Sequence, residues 1–417
     1  MKRVVITGIG ALTPIGNNKD EYLQGLTNGV SGANLITQFD ATEFKTRFAC
    51  EVKDFDPEAF LDRRESRRID RFAQFALVTA DEAVTDAGLD AILEELDRDR
   101  IGVIWGSGIG GLKSLEKEIS DYATGNGIPR YNPFMIPKMI SDIAAGHISI
   151  KYGFRGVNYA TVSACASSSH AITNAFDYIR LGRNDIVVAG GSEAAVIKTG
   201  IGGFNAMKAL STRNDDFATA SRPFDVDRDG FVLGEGGGAL ILEELEHAKK
   251  RGAKIYAEIV GGGATADAHH ITAPHPEGLG ARNVMKIALD DAQMNPEDID
   301  YVNVHGTSTP LGDIAETKAI QQVFGEHAYN MNISSTKSMT GHLLGAAGAI
   351  EAIACIMAIK HSFVPPTINH FTDDPEIDAK LNLTFNTAQE REVKAALSNT
   401  FGFGGHNSTV IFKKWQG

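Results

Sequence analysis

The chain opens on an apolar, β-branched run, KRVVITGIG, continues through RFAQFALVTADEAVTDAG, which reads as a helix, and returns to an apolar run in RIGVIWGSGIGG. The same alternation continues downstream, and strands alternating with helices predict an α/β protein with a mainly parallel sheet. Parts of the pattern occur twice. ADEAVTDAGLDAILEELDRDRIGVIWGSG is echoed by MKIALDDAQMNPEDIDYVNVHGTS: in each, a helix rich in alanine and aspartate leads through an acidic loop into an apolar strand ending at glycine. KRVVITGIGALTP has a counterpart in AKIYAEIVGGGATAD, and KMISDIAAGHIS is faintly echoed by KSMTGHLLGAAG. The repetition predicts two related halves, residues 1–250 and 251–417, joined after the charged stretch EELEHAKKRG near Arg251 and Gly252. No Pro/Ser-rich linker or low-complexity tract marks the join, so the halves are expected to form one globule.

One segment, HLLGAAGAIEAIACIMAI from His342 to Ile359, is almost long enough to span a bilayer. Glu351 lies in its middle, where a carboxylate is costly in lipid, so a helix buried inside a large α/β core is expected, with no membrane span. A content of 43% hydrophobic and 22% charged residues over 417 positions describes a globular chain with more than one core. Cys50, Cys165 and Cys355 are too few and too scattered for a disulfide framework or a zinc cluster, which fits a reducing compartment. The opening MKRVVITGIG has no secretory pattern, and a cytoplasmic location is expected. A net charge of −13 excludes a general nucleic-acid binder, which needs a basic face.

Two glycine or aspartate motifs mislead. GSGIGG, Gly106 to Gly111, has the glycine spacing of a dinucleotide cradle, but GLKSLEKEI after it supplies no ribose-binding acid at a strand end. DVDRDG, Asp225 to Gly230, copies the start of a calcium loop whose twelfth position should be glutamate and here is Gly236, so a structural turn is expected. Cys165, in VSACASSSH, follows an apolar run and precedes what reads as a helix. At a helix N-terminus the dipole lowers a thiol's pKa and stabilises a developing oxyanion; a buried structural cysteine is the alternative. His305 in YVNVHGTSTPLGD and His342 in SSTKSMTGHLLGAAG also stand at the ends of elements, and either alone reads as structural. A cysteine with two imidazoles supplies the components of acyl transfer through a thioester.

SACASSSHAI, VHGTSTPLGD, STKSMTGHLLGAAGA and SNTFGFGGHNS are four separated blocks. In this order they resemble the β-ketoacyl-[acyl-carrier-protein] synthases, type II elongating members above all, over essentially the whole chain. GGFNAMKALSTRND and SRPFDVDRDGFVLGEGGG also match. The resemblance implies a thiolase-like α/β fold, with two pseudo-symmetric halves in a layered αβαβα arrangement. It implies a homodimer that elongates fatty acids by decarboxylative condensation of a Cys165-bound acyl group with malonyl-acyl carrier protein. His305 and His342 would hydrogen-bond the malonyl thioester, Lys337 would join them with Glu351, and the amides of Cys165 and Phe403 would form the oxyanion hole. No cofactor is implied beyond the phosphopantetheine arriving on the carrier. Some relatives suggest a monovalent cation near Asn303, Glu351 and Asn399.

By the same resemblance, Thr307 and Thr309 would bind the pantetheine arm, with His270 and Thr272 nearer the entrance. Ile109, Phe204 and Phe134 would wall the acyl pocket, Phe134 from a neighbouring subunit. FGFGG, Phe401 to Gly405, sets aromatic bulk beside flexible backbone, as a gate requires; Phe403 is the gate candidate, with Phe401 beside it. His406 stands where the family often has threonine. An acidic enzyme meeting an acidic carrier needs a basic island, and Arg63, Arg64, Arg67, Arg68, Arg130 and Lys208 are the candidates. Type I and polyketide-type ketosynthases, and a noncatalytic carrier-binding relative, are the alternatives. Cys165 argues against a chain-length factor, and two histidines without a second catalytic cysteine argue against a thiolase.

Overall fold

The computed structural model describes residues 1–417. Its strands are β1 (Val4–Leu12), β2 (Ile101–Gly106), β3 (Asn158–Thr161), β4 (Ile186–Glu193), β5 (Gly236–Glu244), β6 (Ala257–Ala266), β7 (Tyr301–Asn303), β8 (Asn332–Ser334), β9 (Ala395–Gly402) and β10 (His406–Lys413). They form one sheet in the order β8-β7-β9-β10-β6-β1-β5-β4-β2-β3. Outward from the centre, the first half runs β1-β5-β4-β2-β3 and the second β6-β10-β9-β7-β8, the same path twice. Directions repeat as well. The two innermost pairings of each half are antiparallel and the two outermost are parallel. The halves join where Val4, Val5 and Ile6 of β1 pair antiparallel with Ile259, Glu258 and Ala257 of β6.

The expectation of a mainly parallel sheet is therefore corrected: five of the nine pairings are antiparallel. The return strands β5 and β10 come back antiparallel beside the opening strand of each half, β10 directly after β9 and β5 after a segment that holds the helix Lys198–Ala206. Helix–strand alternation does not reveal such returns.

Side chains alternate across each strand, which creates the layers. On β4, Val187 and Ala189 join the central core while Ile186 and Val188 pack outward against Phe72, Phe75 and Ala76 of the helix Arg71–Asp86. The central core holds two helices, Ser167–Arg180 and Ala347–His361, between β4 and β5 on one side and β10 on the other. Outside the second half, Met285, Ala288 and Ile320 of the helices Leu279–Ala292 and Pro310–Phe324 cover Val302, Leu397 and Ile411. The result is the expected αβαβα stack. Each fully buried Leu or Ile of the middle layer contributes about 1.5–3 kcal/mol. Leu344–His361 is long and apolar enough to cross a membrane, but 89% of it is buried inside the protein, between the two halves of the sheet.

Each central helix starts from a tight turn with a non-glycine residue in the left-handed region: Ala164 at φ +50° before one, Leu344 at φ +49° before the other. These turns are topological equivalents, so SACASSSHAI corresponds to HLLGAAGAI. The faint echo of KMISDIAAGHIS in KSMTGHLLGAAG paired non-equivalent segments.

Candidate active site

Cys165 occupies the turn Ala164–Ala166 between β3 and the helix Ser167–Arg180. From the equivalent region of the second half, His342 brings its Nε2 to 3.0 Å from Cys165 Sγ. The His305 ring, just after β7, stands edge-on to that of His342 with centroids 5.3 Å apart. The sulfur and one nitrogen of each ring all lie within 4.8 Å of one another. They face a cavity of about 580 Å³ that runs past Thr307, Thr309 and Leu311 to Thr272 and His275. Phe231 holds the His342 ring edge-on, and Phe401 lies against His305.

Burial dominates the electrostatics. It pushes the Cys165 thiol up to about 12, although Lys337 and the Phe403 N–H, which hydrogen-bonds the sulfur, pull the other way. The expectation of a thiol lowered by its helix is thus corrected for the resting site. Burial also holds both imidazoles well below the usual histidine range, aided by the Lys337 charge. Both rings are therefore neutral at physiological pH. Each Nδ1 is buried with no partner. A proton there would be an unsatisfied donor, so the tautomer with Nε2–H facing the cavity is favoured.

Lys337 and Glu351 form a buried ion pair, and burial raises Glu351 to about 7 against the pull of Lys337. Sequence reasoning missed Glu316, whose carboxylate accepts from the backbone N–H groups of His305 and Gly306 at 2.9 and 2.8 Å. Its place one helical turn after Asp313, in the helix following the VHGTSTPLGD block, was the available signal. It also missed Glu193, a buried carboxylate at the end of β4. The suggested cation site finds two free oxygens: Asn303 Oδ1 and Glu351 Oε2 are buried without partners. Asn399 Oδ1 is already engaged by the Thr409 hydroxyl.

The FGFGG turn closes over Cys165. A Cβ on Gly402 would lie 2.7 Å from Ser163 O, and Gly404 and Gly405 have φ of +87° and +76°, so the turn requires glycine. Gly404 N–H donates to Ile271 O at 2.7 Å, which ties the turn to the entrance loop. Phe403 is half-buried and lines the cavity; His406 is exposed and folds back over Gly404. Thr307 and Thr309 line the cavity with their hydroxyls 3.0 Å apart. Thr272 lines it as well, whereas His270 does not, its Nδ1 accepting from Thr272 and Ala273 N–H groups in a surface turn.

Ile109 and Phe204 line the cavity, but Phe134 does not; it lies beneath the Arg68 guanidinium, 4.8 Å from the ring centroid. Lys208 is at the cavity wall, and Arg63, Arg64, Arg67, Arg68 and Arg130 are exposed. Arg71, in the same run, turns inward to Glu235 at 2.7 Å. The calcium-like DVDRDG is a turn: Asp225 Oδ2 accepts from the N–H groups of Phe371 and Thr372 and its Oδ1 from Asp227.

The chain is 53% identical over 417 residues to a 3-oxoacyl-[acyl-carrier-protein] synthase 2 of Synechocystis sp., covering 100% of this chain and 99% of that one. It is 50% identical over 418 residues to the 3-oxoacyl-[acyl-carrier-protein] synthase 2 of Staphylococcus aureus, again covering 100% and 99%. Among solved structures, a beta-ketoacyl synthase from Burkholderia phymatum superposes with a TM-score of 0.92 at 37% identity over 100% of both chains. The ketosynthase of a type II PKS, solved in complex with its acyl-carrier protein, superposes with a TM-score of 0.90 at 35% identity over 99% of this chain and 100% of that one. The beta-ketoacyl synthase N-terminal domain matches residues 1–248 and the C-terminal domain residues 256–371, and the chain belongs to the β-ketoacyl synthase family.

Proposed function

We propose that this chain elongates fatty acids by condensing an acyl group, held as a thioester on Cys165, with malonyl-acyl carrier protein. The observation that carries this reading is the Cys165–His342 contact of 3.0 Å, with His305 as the second imidazole at the base of one cavity. Identity of 50–53% to synthases named 3-oxoacyl-[acyl-carrier-protein] synthase 2, against 35% to the polyketide ketosynthase, favours fatty-acid over polyketide chemistry.

In the first half-reaction, Cys165 Sγ attacks the acyl thioester carbonyl. The carrier's sulfur leaves as a thiol, taking up the proton that Cys165 gives up. The His342 Nε2–H and the Phe403 N–H, both directed at the sulfur, stabilise the thiolate as it forms, and the backbone donors hold the tetrahedral oxyanion. In the second, the Nε2–H groups of His305 and His342 donate to the malonyl thioester carbonyl. The carboxylate C–C bond breaks, carbon dioxide leaves and the electron pair becomes an enolate. Its carbon attacks the acyl-Cys165 carbonyl. The C–S bond to Cys165 breaks, and one proton from solvent restores the thiol. Neutral imidazoles suit this donor role, and burial, aided by the Lys337 charge, keeps them neutral.

Thr307 and Thr309 hold the pantetheine arm, and Arg63, Arg64, Arg67, Arg68, Arg130 and Lys208 receive the acidic carrier. A cytoplasmic homodimer is the working form. It is supported by the half-exposed edge strand β3 and the exposed Ile150, Val162 and Ile136, an edge and an apolar face that a second copy would cover. In that dimer, Phe134 would reach the neighbour's acyl pocket. A monovalent cation held by Asn303 and Glu351 would neutralise the free carboxylate oxygen; no step needs it. Mixing enzyme with acyl-carrier protein should add the acyl mass to the wild type and not to Cys165→Ala. Acyl transfer to the Cys165→Ala protein, or none to the wild type, would refute the proposal.

A further inference from the structure

The dinucleotide-like GSGIGG turn does hold an anion in its backbone donors, and the anion is Glu193. Oε2 accepts from Gly108 N–H at 2.8 Å and Gly345 N–H at 3.0 Å; Oε1 accepts from the Ser107 hydroxyl at 3.0 Å and Ile109 N–H at 3.2 Å. All four partners are donors and none is a cation. Burial raises the Glu193 carboxyl above its usual range, and the three backbone N–H groups and the Ser107 hydroxyl pull the other way by favouring the carboxylate.

The partners come from both halves of the molecule. Gly108 and Ile109 form the cavity wall beside Cys165, while Gly345 belongs to the turn Leu344–Ala346, which starts two residues after His342. The turns meet without side chains between them: a Cβ on Gly345 would lie 2.3 Å from Gly108 N and 2.7 Å from Glu193 Oε2, and one on Gly108 would lie 3.0 Å from that oxygen. Leu344 lines the same cavity as Ile109. One carboxylate therefore fixes the gap between the acyl-pocket wall and the turn that follows His342.

We propose that Glu193 is a positioning residue for chain-length selection, tying the Ile109 wall to the His342 turn and so setting the width of the acyl pocket at Cys165. This rests on the condensing activity proposed above. Replacing the carboxylate by a carboxamide turns an amide N–H₂ toward backbone donors, which pushes the two turns apart and loosens the wall.

The test compares full-length wild type, Glu193→Gln and Gly108→Ala, each given hexanoyl- and palmitoyl-acyl carrier protein in competition, with melting temperatures measured alongside. In both variants the palmitoyl-to-hexanoyl ratio of kcat/KM should rise about tenfold, the scale of adding or removing one methylene's fit in a pocket. Gly108→Ala reaches the same oxygen from the other side with a methyl group, so it decides the matter if Glu193→Gln does not fold. A wild type that elongates both primers while the ratio stays unchanged in the folded variants overturns the proposal, even if both rates fall in parallel with the melting temperature. A wild type that elongates neither primer overturns the condensing activity itself.

Discussion

Replacing Glu351 by glutamine leaves the Lys337 ammonium, 1% exposed, without a counter-charge in the middle layer. Breaking a buried pair from one side costs about 3–5 kcal/mol, because the remaining ion keeps its desolvation penalty. Unfolding entropy near the midpoint is about 2.1 cal/mol/K per residue. For 417 residues this is roughly 0.9 kcal/mol/K, so above pH 7, where Glu351 is ionised, Glu351→Gln should lower Tm by about 3–6 °C. The double variant Lys337→Met with Glu351→Leu removes both charges into an apolar layer and should recover most of that loss, since replacing such pairs by apolar residues is often neutral or stabilising.

Activity should separate the two effects. Lys337 reinforces burial in holding His305 and His342 low, so without it their pKa values rise, and the acid limb of the condensation profile should move to higher pH even in a stable double variant. Stability against pH adds a sign. Glu351, raised to about 7, carries a contribution that is complete below its ordinary value near 4.5 and lost as pH rises through 7. Wild type should accordingly lose stability relative to the double variant over that interval. Calorimetry and condensation rates across pH provide the check. A double variant as unstable as Glu351→Gln, or an acid limb that does not move, would refute the argument that the pair matters through its charge.

Reversing Arg67 and Arg68 to glutamate should raise KM for carrier-bound substrates more than for a short pantetheine thioester. Added salt should weaken wild-type carrier binding, since exposed charges are screened over about 8 Å at physiological ionic strength; equal effects on both substrates would place docking elsewhere. Phe403→Ala should spare acylation more than condensation, because the amide that faces Cys165 is kept while the half-buried ring that closes the cavity is lost. A purely packing ring predicts a cost of up to about 3–5 kcal/mol with both steps falling together, so Tm beside single-turnover rates distinguishes the two.

The layers, and the place of Cys165 in a turn before a central helix, were legible because each rests on short-range pattern. A strand, a small-residue turn and a helix mark Cys165, and apolar runs that end at His305 or near Lys337 mark the second half. What stayed hidden depends on long-range closure. The antiparallel return strands leave no trace in helix–strand alternation. Glu193 and Glu316 look like ordinary acids, and only the fold brings them to backbone N–H groups; Gly345, one of Glu193's partners, lies 152 residues away. The resemblance sets His270 near the entrance, yet its ring is used in its own turn. The glycine motif at Gly106 offers backbone donors in the sequence, but that Glu193 takes them is visible only once β4 lies beside β2.

The thiol shows why local reading misjudges magnitude. A helix N-terminus favours a neighbouring anion by about 0.3–1 kcal/mol, and by up to ~2 kcal/mol when partly buried. Raising Cys165 from 9.0 to about 12 corresponds to roughly 4 kcal/mol against the thiolate, so burial outweighs the dipole even with Lys337 and Phe403 N–H helping the charge. Sequence reveals the dipole because it is local; it does not reveal that the two halves of the molecule enclose the turn. The resting site consequently holds three neutral groups, the thiol and two imidazoles, and charge appears only when a thioester arrives to share it. In the proposed reaction, a cavity arranged this way keeps Cys165 neutral between turnovers, and its directed N–H groups are already in place when the sulfur, the oxyanion and then the enolate become negative in succession.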